Sequence, residues 1–361
     1  MKIVIAAWHL KDFNVGLGRY SRALIEALGR VDIENQYEIL MPSESHRFPE
    51  RPNMHYRLIR FPFFKRRFWE QVAPLLVGPH DLLHLPYDSC VAWKRGKLVV
   101  TIHDVKPFLF DSLRPRRSLA RAIEKRLAGD KWQRIDHILT DSDHSRRDIE
   151  QLFGVPSERI TVVYPGVDLD RFRPVPMEEG GPVRPYILSV AGADPTKNVE
   201  ALIEAFAGMS SNVRDGHDLV LVGDFRRRPE LRERTVRLGI EKHTTFAGVV
   251  DDDRLIALYR RAALFVFPSR YEGFGLPVLE AMACGCPVVC SNASSLPEVA
   301  GDGAILVDPA DTLALSRQMD RALTEPSLRE GLRERGLRQA ARFSWERTAR
   351  ETVKVYERVA G

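Results

Sequence analysis

The regular alternation of short apolar runs with amphipathic segments is the feature that most constrains the fold of this chain. KIVIAA (2–7) and KLVVTI (97–102) are almost continuously apolar, whereas RYSRALIEALGR (19–30) repeats apolar residues at helical spacing. Strands that are apolar on both faces are typical of parallel sheets covered by helices on both sides. The alternation therefore predicts an α/β fold built from doubly wound parallel sheets.

The alternation is interrupted once, and the interruption divides the chain into two domains. The segment from Pro165 to Pro185, PGVDLDRFRPVPMEEGGPVRP, is rich in residues that end helices and strands. A length of 361 residues also suits two domains better than one core. The predicted boundaries are 1–168 for the first domain, 169–184 for the linker, 185–344 for the second domain, and 345–361 for an amphipathic helix that packs back on the first. Ligands bind at the carboxyl ends of such strands, so the expected site is the cleft between the domains.

Neither a membrane span nor a disulfide framework is predicted. No apolar run approaches the roughly 20 residues that a spanning helix needs, and the run MKIVIAAWHL lacks a signal-peptide cleavage site. Cys90 stands alone, and Cys284, Cys286 and Cys290 lie in an apolar segment without the spacing of a zinc site. A cytoplasmic protein is therefore expected.

Basic residues are concentrated in two segments of the first half. The net charge of +5 suits an anionic partner, and the excess lies in FPFFKRRFW (61–69) and in a helical pattern over 114–134. Solvated helix faces are one interpretation. Contact with an anionic membrane surface, where aromatic and basic side chains act together, is the other. No nucleic-acid-binding motif is present, so nucleic acid is not an expected partner.

The segment EGFGLPVLE, from Glu272 to Glu280, is the most informative for chemistry. Gly273 and Gly275 permit close approach of a ligand to the backbone, and Pro277 suits the first turn of a helix. A glycine-rich loop that leads into a helix N-terminus favours a phosphate, because free N–H groups and the helix dipole attract an anion. Glu280 then lies about one turn inside the helix, within reach of hydroxyl groups beside the phosphates. A plain strand–turn–helix crossover with capping glutamates is the alternative.

Two polar positions in the first half also lie near strand ends. GLGRY (16–20) begins like a dinucleotide-binding fingerprint, but Ser21 stands where the third glycine belongs, and a helix-starting turn is the alternative. His103 follows the strand KLVVTI and is placed to contact a ligand, unless it is a core histidine paired with Asp104. His9, just past the first strand, is a weaker example of the same placement.

The acidic segments are better explained as helix caps than as metal ligands. Asp141-Ser142-Asp143 has D-x-D spacing, but it directly precedes the helical segment HSRRDIEQLF, where such residues are common N-caps. Residues 251–253, all aspartate, precede RLIALYRRA in the same way. No metal site is predicted.

The longer segment SRYEGFGLPVLEAMACGCPVV closely resembles the signature of the retaining glycosyltransferases of family 4. That family has the GT-B fold, in which two Rossmann-like doubly wound domains face each other across a cleft. The resemblance implies that the first domain binds the acceptor and the second binds the nucleotide sugar. The resemblance covers nearly the whole chain and includes, in order, GLGRY (16–20), TIHD (101–104), TDSDHSRRDI (140–149), VVYPGVD (162–168), SVAGADPTKN (189–198) and LPEVAGDGAILVDP (296–309). A set of segments in this order is far more specific than one glycine-rich loop.

The resemblance implies a role for each matching position. Glu280 would bind the ribose hydroxyls of a nucleotide-sugar donor, and Glu272 would lie beside the transferred sugar. Lys197 would neutralise the diphosphate as the leaving group gains charge. This role agrees with the helix dipole, which disfavours a cation at a helix N-terminus unless an anion is present. His103 would help to position the donor sugar. The other implied donor contacts are Gly273, Phe274, Gly275, Leu276, Gly16, Gly18, Arg19 and Arg270.

The chain departs from the family pattern at the diphosphate. Many members have an arginine a few residues before this lysine, or directly before it. Here those positions are Gly192 and Thr196. One cation is thus missing, and Arg270 and Arg19 are the candidates to replace it.

The resemblance implies a retaining, metal-independent hexosyltransferase without a cofactor. The expected donor is GDP-mannose, with a UDP-hexose second, and the expected acceptor is a glycan or lipid-linked glycan in envelope polysaccharide biosynthesis. Segments 61–69 and 114–134 would then face the inner surface of the plasma membrane. The alternatives are a non-catalytic nucleotide- or glycan-binding protein and another enzyme of this fold, such as an epimerase or a phosphorylase.

Overall fold

The chain folds into two compact units. A computed structural model describes residues 1–11, 16–44, 48–61, 66–91, 93–110, 132, 134–175 and 184–361. The first unit consists of Met1–Gly166 and Trp345–Gly361, and the second consists of Val167–Ser344. Each unit has its own parallel sheet, so the prediction of doubly wound α/β units is confirmed.

The described part of the first unit contains a seven-stranded parallel sheet with the order β3-β2-β1-β4-β5-β6-β7. Its strands are β1 (Lys2–Ala6), β2 (Gln36–Met41), β3 (Met54–Leu58), β4 (Leu82–Leu85), β5 (Lys97–Ile102), β6 (His137–Thr140) and β7 (Ile160–Val162). The chain builds outward from β1 to β3 and then crosses to β4, on the other side of β1. Such a reversal leaves a crevice at the carboxyl ends of the two central strands. We call the carboxyl ends of β1 and β4 the first switch point.

The second unit repeats this plan with a six-stranded parallel sheet, in the order β10-β9-β8-β11-β12-β13. Its strands are β8 (Tyr186–Val190), β9 (Asp218–Val222), β10 (Thr244–Gly248), β11 (Leu264–Phe267), β12 (Val288–Ser291) and β13 (Ala304–Val307). The reversal falls between β8 and β11, which pair directly. The carboxyl ends of these two strands are the second switch point.

Helices cover the sheets of both units. The described residues of the first unit contain α1 (Gly16–Val31), α2 (Arg66–Val72), α3 (Lys106–Leu109), α4 (Asp143–Phe153) and the last helix, α13 (Trp345–Ala360). Those of the second unit contain α5 (Val199–Ala207), α6 (Ser211–Arg214), α7 (Pro229–Arg237), α8 (Asp252–Arg261), α9 (Leu276–Ala283), α10 (Leu296–Ala300), α11 (Thr312–Thr324) and α12 (Pro326–Ala340). Among the described residues, none of the helices combines the length and apolar content needed to cross a membrane.

The predicted helix caps are confirmed. Ser142 precedes α4, and its Oγ accepts a hydrogen bond from the backbone N–H of Ser145 at 3.0 Å. Asp251 precedes α8, and its carboxylate accepts from the N–H of Arg254 at 2.8 Å. Each side chain thus satisfies one of the N–H groups that a helix N-terminus leaves without a partner.

Helix α13 belongs to the first unit. Its Tyr356 hydroxyl is buried and lies 2.6 Å from Nδ1 of His84 in β4, while Nε2 of His84 lies 2.8 Å from Oγ1 of Thr101 in β5. Burial lowers the pKa of His84 to about 3, with a smaller effect from His103. The ring is therefore neutral, so one of its nitrogens donates and the other accepts.

The segment predicted as the linker begins in contact with the second unit. The Arg171 guanidinium pairs with Asp252 at 3.2 Å and with Asp253 at 2.9 Å, both in α8. Arg260 of α8 donates to the carbonyl oxygens of Arg171 and Arg173. Residues 176–183 of the predicted linker lie outside the described residues.

Candidate active site

A lysine–glutamate ion pair lies at the second switch point. Lys197 ends a short 3-10 turn in the loop that follows β8, and Glu272 lies in the loop that follows β11. The Lys197 Nζ is 2.7 Å from Oε1 and 3.0 Å from Oε2 of Glu272. The fold thus brings together two predicted site residues that are 75 positions apart in the chain.

Backbone contacts hold the two loops against each other. The carbonyl oxygen of Thr196 accepts a hydrogen bond from the N–H of Arg270 at 2.7 Å. Ser269 Oγ lies 3.0 Å from that same carbonyl oxygen and 2.6 Å from Oε1 of Glu272, and the N–H of Glu272 donates to Ser294 Oγ at 2.9 Å. Contacts within the protein therefore align the ammonium with the carboxylate.

The pair is mostly shielded from water but still accessible. The side chains of Lys197 and Glu272 are 20% and 10% exposed, and the Lys197 Nζ lies 5.0 Å from the centroid of the Phe267 ring. Partial burial of two charges costs desolvation free energy. Arrangements with such a cost are often found at functional sites. Because an ammonium has three N–H donors and Glu272 has two oxygens, Lys197 retains a donor for an anion.

The loop after Glu272 enters helix α9 through a glycine. Gly275 has φ +118, and a Cβ at this position would lie 2.6 Å from Cδ2 of Leu296, so a side chain would be both strained and crowded. The Ser295 hydroxyl donates to the Phe274 carbonyl at 2.6 Å, and Pro277 occupies the first turn of α9. The predicted glycine loop and helix start are therefore confirmed as structure.

Glu280 is a buried carboxylate on the fifth residue of α9. Glu280 is only 5% exposed, and its Oε2 accepts a hydrogen bond from the Tyr259 hydroxyl of α8 at 3.1 Å. The remaining predicted donor residues of the second unit belong to the same loop and helix start: Gly273, Phe274, Leu276 and Arg270. Phe274 is buried and packs against Phe343 with ring centroids 5.7 Å apart, so only its backbone can face a ligand, whereas Arg270 is exposed.

A cavity of 390 Å³ at the carboxyl ends of β9 and β10 was not predicted from the sequence. Phe225 and Phe246 line it edge to face, with ring centroids 5.4 Å apart. The Arg232 guanidinium lies 4.3 Å from the Phe246 centroid. The polar segment that follows the strand DLVLV could have indicated this cavity, since ligand-binding residues in such sheets follow strand ends.

The cavity adjoins the loop that carries Lys197. Gly223 has φ +140, and a Cβ there would lie 2.3 Å from the carbonyl oxygen of Ala191 and 3.1 Å from Cα of Gly192. Only glycine permits this approach. Asp224 also lines the cavity, and its hydrogen bonds with Arg226 lower the pKa of its carboxyl to about 2.

The predicted residues of the first unit form a separate group. Gly16, Gly18 and Arg19 lie in the first turn of α1, which follows residues 12–15, outside the described chain. The ring of Tyr20, from the same turn, packs edge-on against His103 with centroids 4.4 Å apart. The first turn of α1 and His103 are therefore neighbours in the fold.

Both ring nitrogens of His103 have partners within the first unit. Nδ1 lies 2.7 Å from Oδ2 of Asp141 and Nε2 lies 3.2 Å from the carbonyl oxygen of Pro86. Burial lowers the pKa of His103, but the charge and hydrogen bond of Asp141 outweigh burial and raise it above its usual value. The partner is thus Asp141 and not Asp104, which instead accepts from the N–H of Lys106 at 2.9 Å.

The chain thus combines two doubly wound units with a lysine–glutamate pair and a glycine-started helix at the strand switch point of the second. The family model of glycosyl transferases group 1 matches residues 180–339, and the model of glycosyltransferase family 4 matches residues 15–171. The chain belongs to glycosyltransferase family 4.

Individual proteins are similar over nearly the whole chain. The O-antigen chain mannosyltransferase B of Escherichia coli is 32% identical over 391 aligned positions, which cover 99% of this chain and 100% of that protein. The structure of sucrose-phosphate synthase from Thermosynechococcus elongatus matches with a TM-score of 0.78 at 21% identity, over 99% of both chains. HepE from Anabaena, solved with UDP and glucose, matches with a TM-score of 0.74 at 18% identity, over 99% of both chains.

Proposed function

We propose that this glycosyltransferase transfers mannose from GDP-mannose to a growing glycan during envelope polysaccharide biosynthesis. The Lys197–Glu272 pair beside the start of α9 is the observation that carries the proposal. The choice of mannose is supported by the similarity of the full chain to an O-antigen chain mannosyltransferase. A UDP-hexose is the second candidate donor, because HepE was solved with UDP and glucose.

The donor is proposed to lie along the second switch point. Its base would occupy the cavity lined by Phe225, Phe246 and Arg232, because aromatic rings and a guanidinium suit a planar base. Its ribose would bind Glu280, and its diphosphate would lie between Lys197 and the N-terminus of α9. The hexose would then reach Glu272 and the backbone of the glycine loop. In support of this order, the cavity adjoins the Lys197 loop through Gly223.

The proposed reaction exchanges one bond at the anomeric carbon for another. The bond from C1 to the diphosphate oxygen breaks, and the bond to an acceptor hydroxyl oxygen forms on the same face, which retains configuration. The proton of that hydroxyl passes to the departing diphosphate. Lys197 stabilises the negative charge that develops on the leaving group. With the positive end of α9, it would supply the charge that a divalent ion supplies in other transferases, so we propose that no metal is required.

A panel of ligands and one product analysis test this function. We expect GDP and GDP-mannose to raise the melting temperature more than UDP, UDP-glucose and UDP-galactose, since a ligand that binds only the folded state stabilises it. NMR of the disaccharide product is expected to show retained configuration, and EDTA should not reduce the rate. An inverted product, or activity restored only by a divalent metal, would contradict the respective part of the mechanism. The absence of any nucleotide-sugar turnover would favour a non-catalytic binding protein.

We further propose that the acceptor is lipid-linked and that the protein contacts an anionic membrane peripherally. Residues 62–65 and most of 114–134 lie outside the described structure. In the described part of 61–69, Phe68 is 41% exposed, whereas Trp69 is buried and its indole donates to the carbonyl of Ile59 at 2.7 Å. Co-sedimentation with anionic liposomes, lost when Lys65, Arg66 and Arg67 are replaced, would support this contact. Equal binding of the variant would remove it.

A further inference from the structure

The cavity at the carboxyl ends of β9 and β10 carries charged side chains of both signs. Asp224 is the second residue after β9, and Arg232 lies in the middle of α7. Among the described residues that line the cavity, Asp224 is the only acid. A base bound there faces a hydrogen-bond acceptor as well as a guanidinium, so the cavity can distinguish one base from another.

Arg232 is a guanidinium whose N–H groups remain available to a ligand. Its central carbon lies 4.3 Å from the centroid of the Phe246 ring, and a cation–π contact does not occupy hydrogen-bond donors. Within the part of the chain that the structure describes, the Arg232 side chain forms neither an ion pair nor a hydrogen bond. Its planar fork can therefore donate to two neighbouring acceptor atoms.

Asp224 is a carboxylate with one acceptor site left. Its Oδ1 accepts hydrogen bonds from the backbone N–H and the Nε of Arg226, at 3.0 and 2.9 Å, and its Oδ2 accepts one from Nη2 at 2.7 Å. Each carboxylate oxygen offers about two acceptor sites, so Oδ2 can accept once more. The Asp224 side chain is 42% exposed, so a ligand can reach it. The hydrogen bonds with Arg226 lower the pKa of this carboxyl to about 2, which keeps it charged at neutral pH.

Guanine carries the matching groups on two of its edges. Its O6 and N7 are neighbouring acceptors, and an arginine fork binds this pair with two hydrogen bonds. Its 2-amino group is a donor on another edge and suits the remaining acceptor site of a carboxylate. Uracil has a carbonyl oxygen on each side of its one ring N–H, so it would place an acceptor against the carboxylate. A site of this kind selects guanine by attraction and rejects uracil by repulsion.

We propose that Asp224 and Arg232 select guanine as the base of the donor. Arg232 donates to O6 and N7, and Oδ2 of Asp224 accepts from the 2-amino group. Val249, which lines the same cavity and is 72% exposed, supplies apolar surface that the base covers. The inference rests on the proposed function, and it deepens that function by assigning the choice between GDP and UDP donors to two side chains.

Four nucleoside diphosphates test this base selection on the full chain. Isothermal titration would compare GDP with UDP, ADP and inosine diphosphate, whose base keeps O6, N7 and N1–H but lacks the 2-amino group. We expect the wild type to bind GDP about tenfold or more tightly than each of the other three. Because inosine diphosphate differs from GDP only in that amino group, its weaker binding isolates the contact with Asp224.

Substitution of each residue should remove a different part of the preference. Asp224→Ala should lower the affinity for GDP about tenfold and leave that for inosine diphosphate unchanged. Arg232→Gln should lower both affinities about tenfold, since both bases carry O6 and N7. Asp215→Ala and Arg237→Gln are the matched controls and should bind all four ligands like the wild type. Asp215 is an exposed aspartate paired with Arg214 at 2.9 Å, and Arg237 is an exposed arginine of the same helix, α7.

The outcomes separate this inference from the proposed function. Equal affinity of the wild type for GDP and inosine diphosphate, or unchanged GDP affinity in either variant, would overturn the base assignment, while transfer from GDP-mannose could still be observed. A wild type that prefers UDP would overturn the assignment together with GDP-mannose as the donor. Guanine selection that depends on both residues, without turnover of any nucleotide sugar, would refute the proposed function and leave the base site standing. Melting temperatures without ligand, expected within about 2 °C of the wild type for both variants, show that a lost preference is not lost folding.

Discussion

The two units share one strand plan but hold their charged pairs in different ways. In the second unit, Lys197 and Glu272 come from loops that follow two different strands, and the Thr196 carbonyl binds both Ser269 and Arg270 between them. In the first unit, Arg66 and Glu70 are four residues apart on one helix. The Lys197–Glu272 pair forms only because two strand-end loops meet, whereas Arg66 and Glu70 are already neighbours on α2, and residues after β1 and β4 add further contacts. A cation fixed by a sheet suits a leaving group, because electrostatic catalysis requires donors that do not reorganise.

The largest effect is expected when the fixed cation is removed. Lys197→Gln should lower kcat by about 10²–10³-fold, as is usual when one preorganised donor to a developing charge is lost. Steady-state kinetics with saturating acceptor would measure this. Lys242→Gln, an exposed lysine of the same unit, is the control and should match the wild type. A loss below about threefold would show that the second switch point does not carry the chemistry.

Removal of the paired carboxylate should separate binding from turnover. Glu272→Gln should lower kcat by about 10-fold to 100-fold. GDP should bind at least as tightly as to the wild type, because Lys197 then has no competing anion at 2.7 Å. Isothermal titration with GDP measures the second effect, and the exposed Glu233→Gln is the control. A clear loss of GDP affinity would mean that Glu272 holds the diphosphate side of the donor.

The contact between the cavity and the Lys197 loop can be broken by one methyl group. Gly223→Ala places a Cβ 2.3 Å from the Ala191 carbonyl, so it should cost about 2 kcal/mol or more of unfolding free energy and weaken nucleotide binding. Gly239→Ala is matched, since that glycine has φ +67 but no atom within 4 Å of the added Cβ. It should cost only about 1 kcal/mol and leave nucleotide binding unchanged. Urea unfolding and thermal shift with GDP would compare the two, and equal costs would contradict this packing argument.

The smallest effect concerns acid stability and belongs to the first unit. Burial lowers the pKa of His84 to about 3, below the value of about 6.5 in an unfolded chain. The stabilisation due to neutral His84 is complete above pH 6.5 and is lost as the pH falls towards 3. Across this window the unfolded state binds the extra proton, and unfolding free energy falls by up to about 1.4 kcal/mol per pH unit. The difference in urea midpoint between wild type and His84→Gln should therefore narrow from pH 7 to pH 5. A constant difference would contradict the assignment.

The sequence predicted the interior strands and two of the four edge strands, β7 and β13, but it missed the other two edge strands. The runs at β1, β5 and β11 are apolar almost throughout, because both faces of these strands are covered. The missed strands, β3 and β10, lie at one edge of each sheet and alternate buried or half-buried with exposed residues. Half-covered strands have no continuous apolar run, so the pattern that predicts the interior does not detect them.

The same limit applies to the candidate site. Glu272, Gly275 and Glu280 could be predicted together because the loop and helix that carry them are contiguous. The partner of Glu272 could not, since its contact with Lys197 depends on which strands are neighbours. The contact of His103 with Asp141 could not be predicted for the same reason, because it depends on the pairing of β5 with β6. The Arg66–Glu70 pair was missed because the charge of Arg66 was assigned to a solvated or membrane-facing surface.

The chain leaves the first unit at Gly166 and returns to it at Trp345. During translation, the whole second unit therefore emerges before the residues that complete the first. Until α13 is made, His84 lacks its Tyr356 partner, and apolar residues of α1 such as Leu24 and Leu28 lack part of their covering. An incomplete nascent chain thus exposes a core surface of the kind that chaperones bind. The unit that is synthesised first can therefore complete its core only after the second unit has been made.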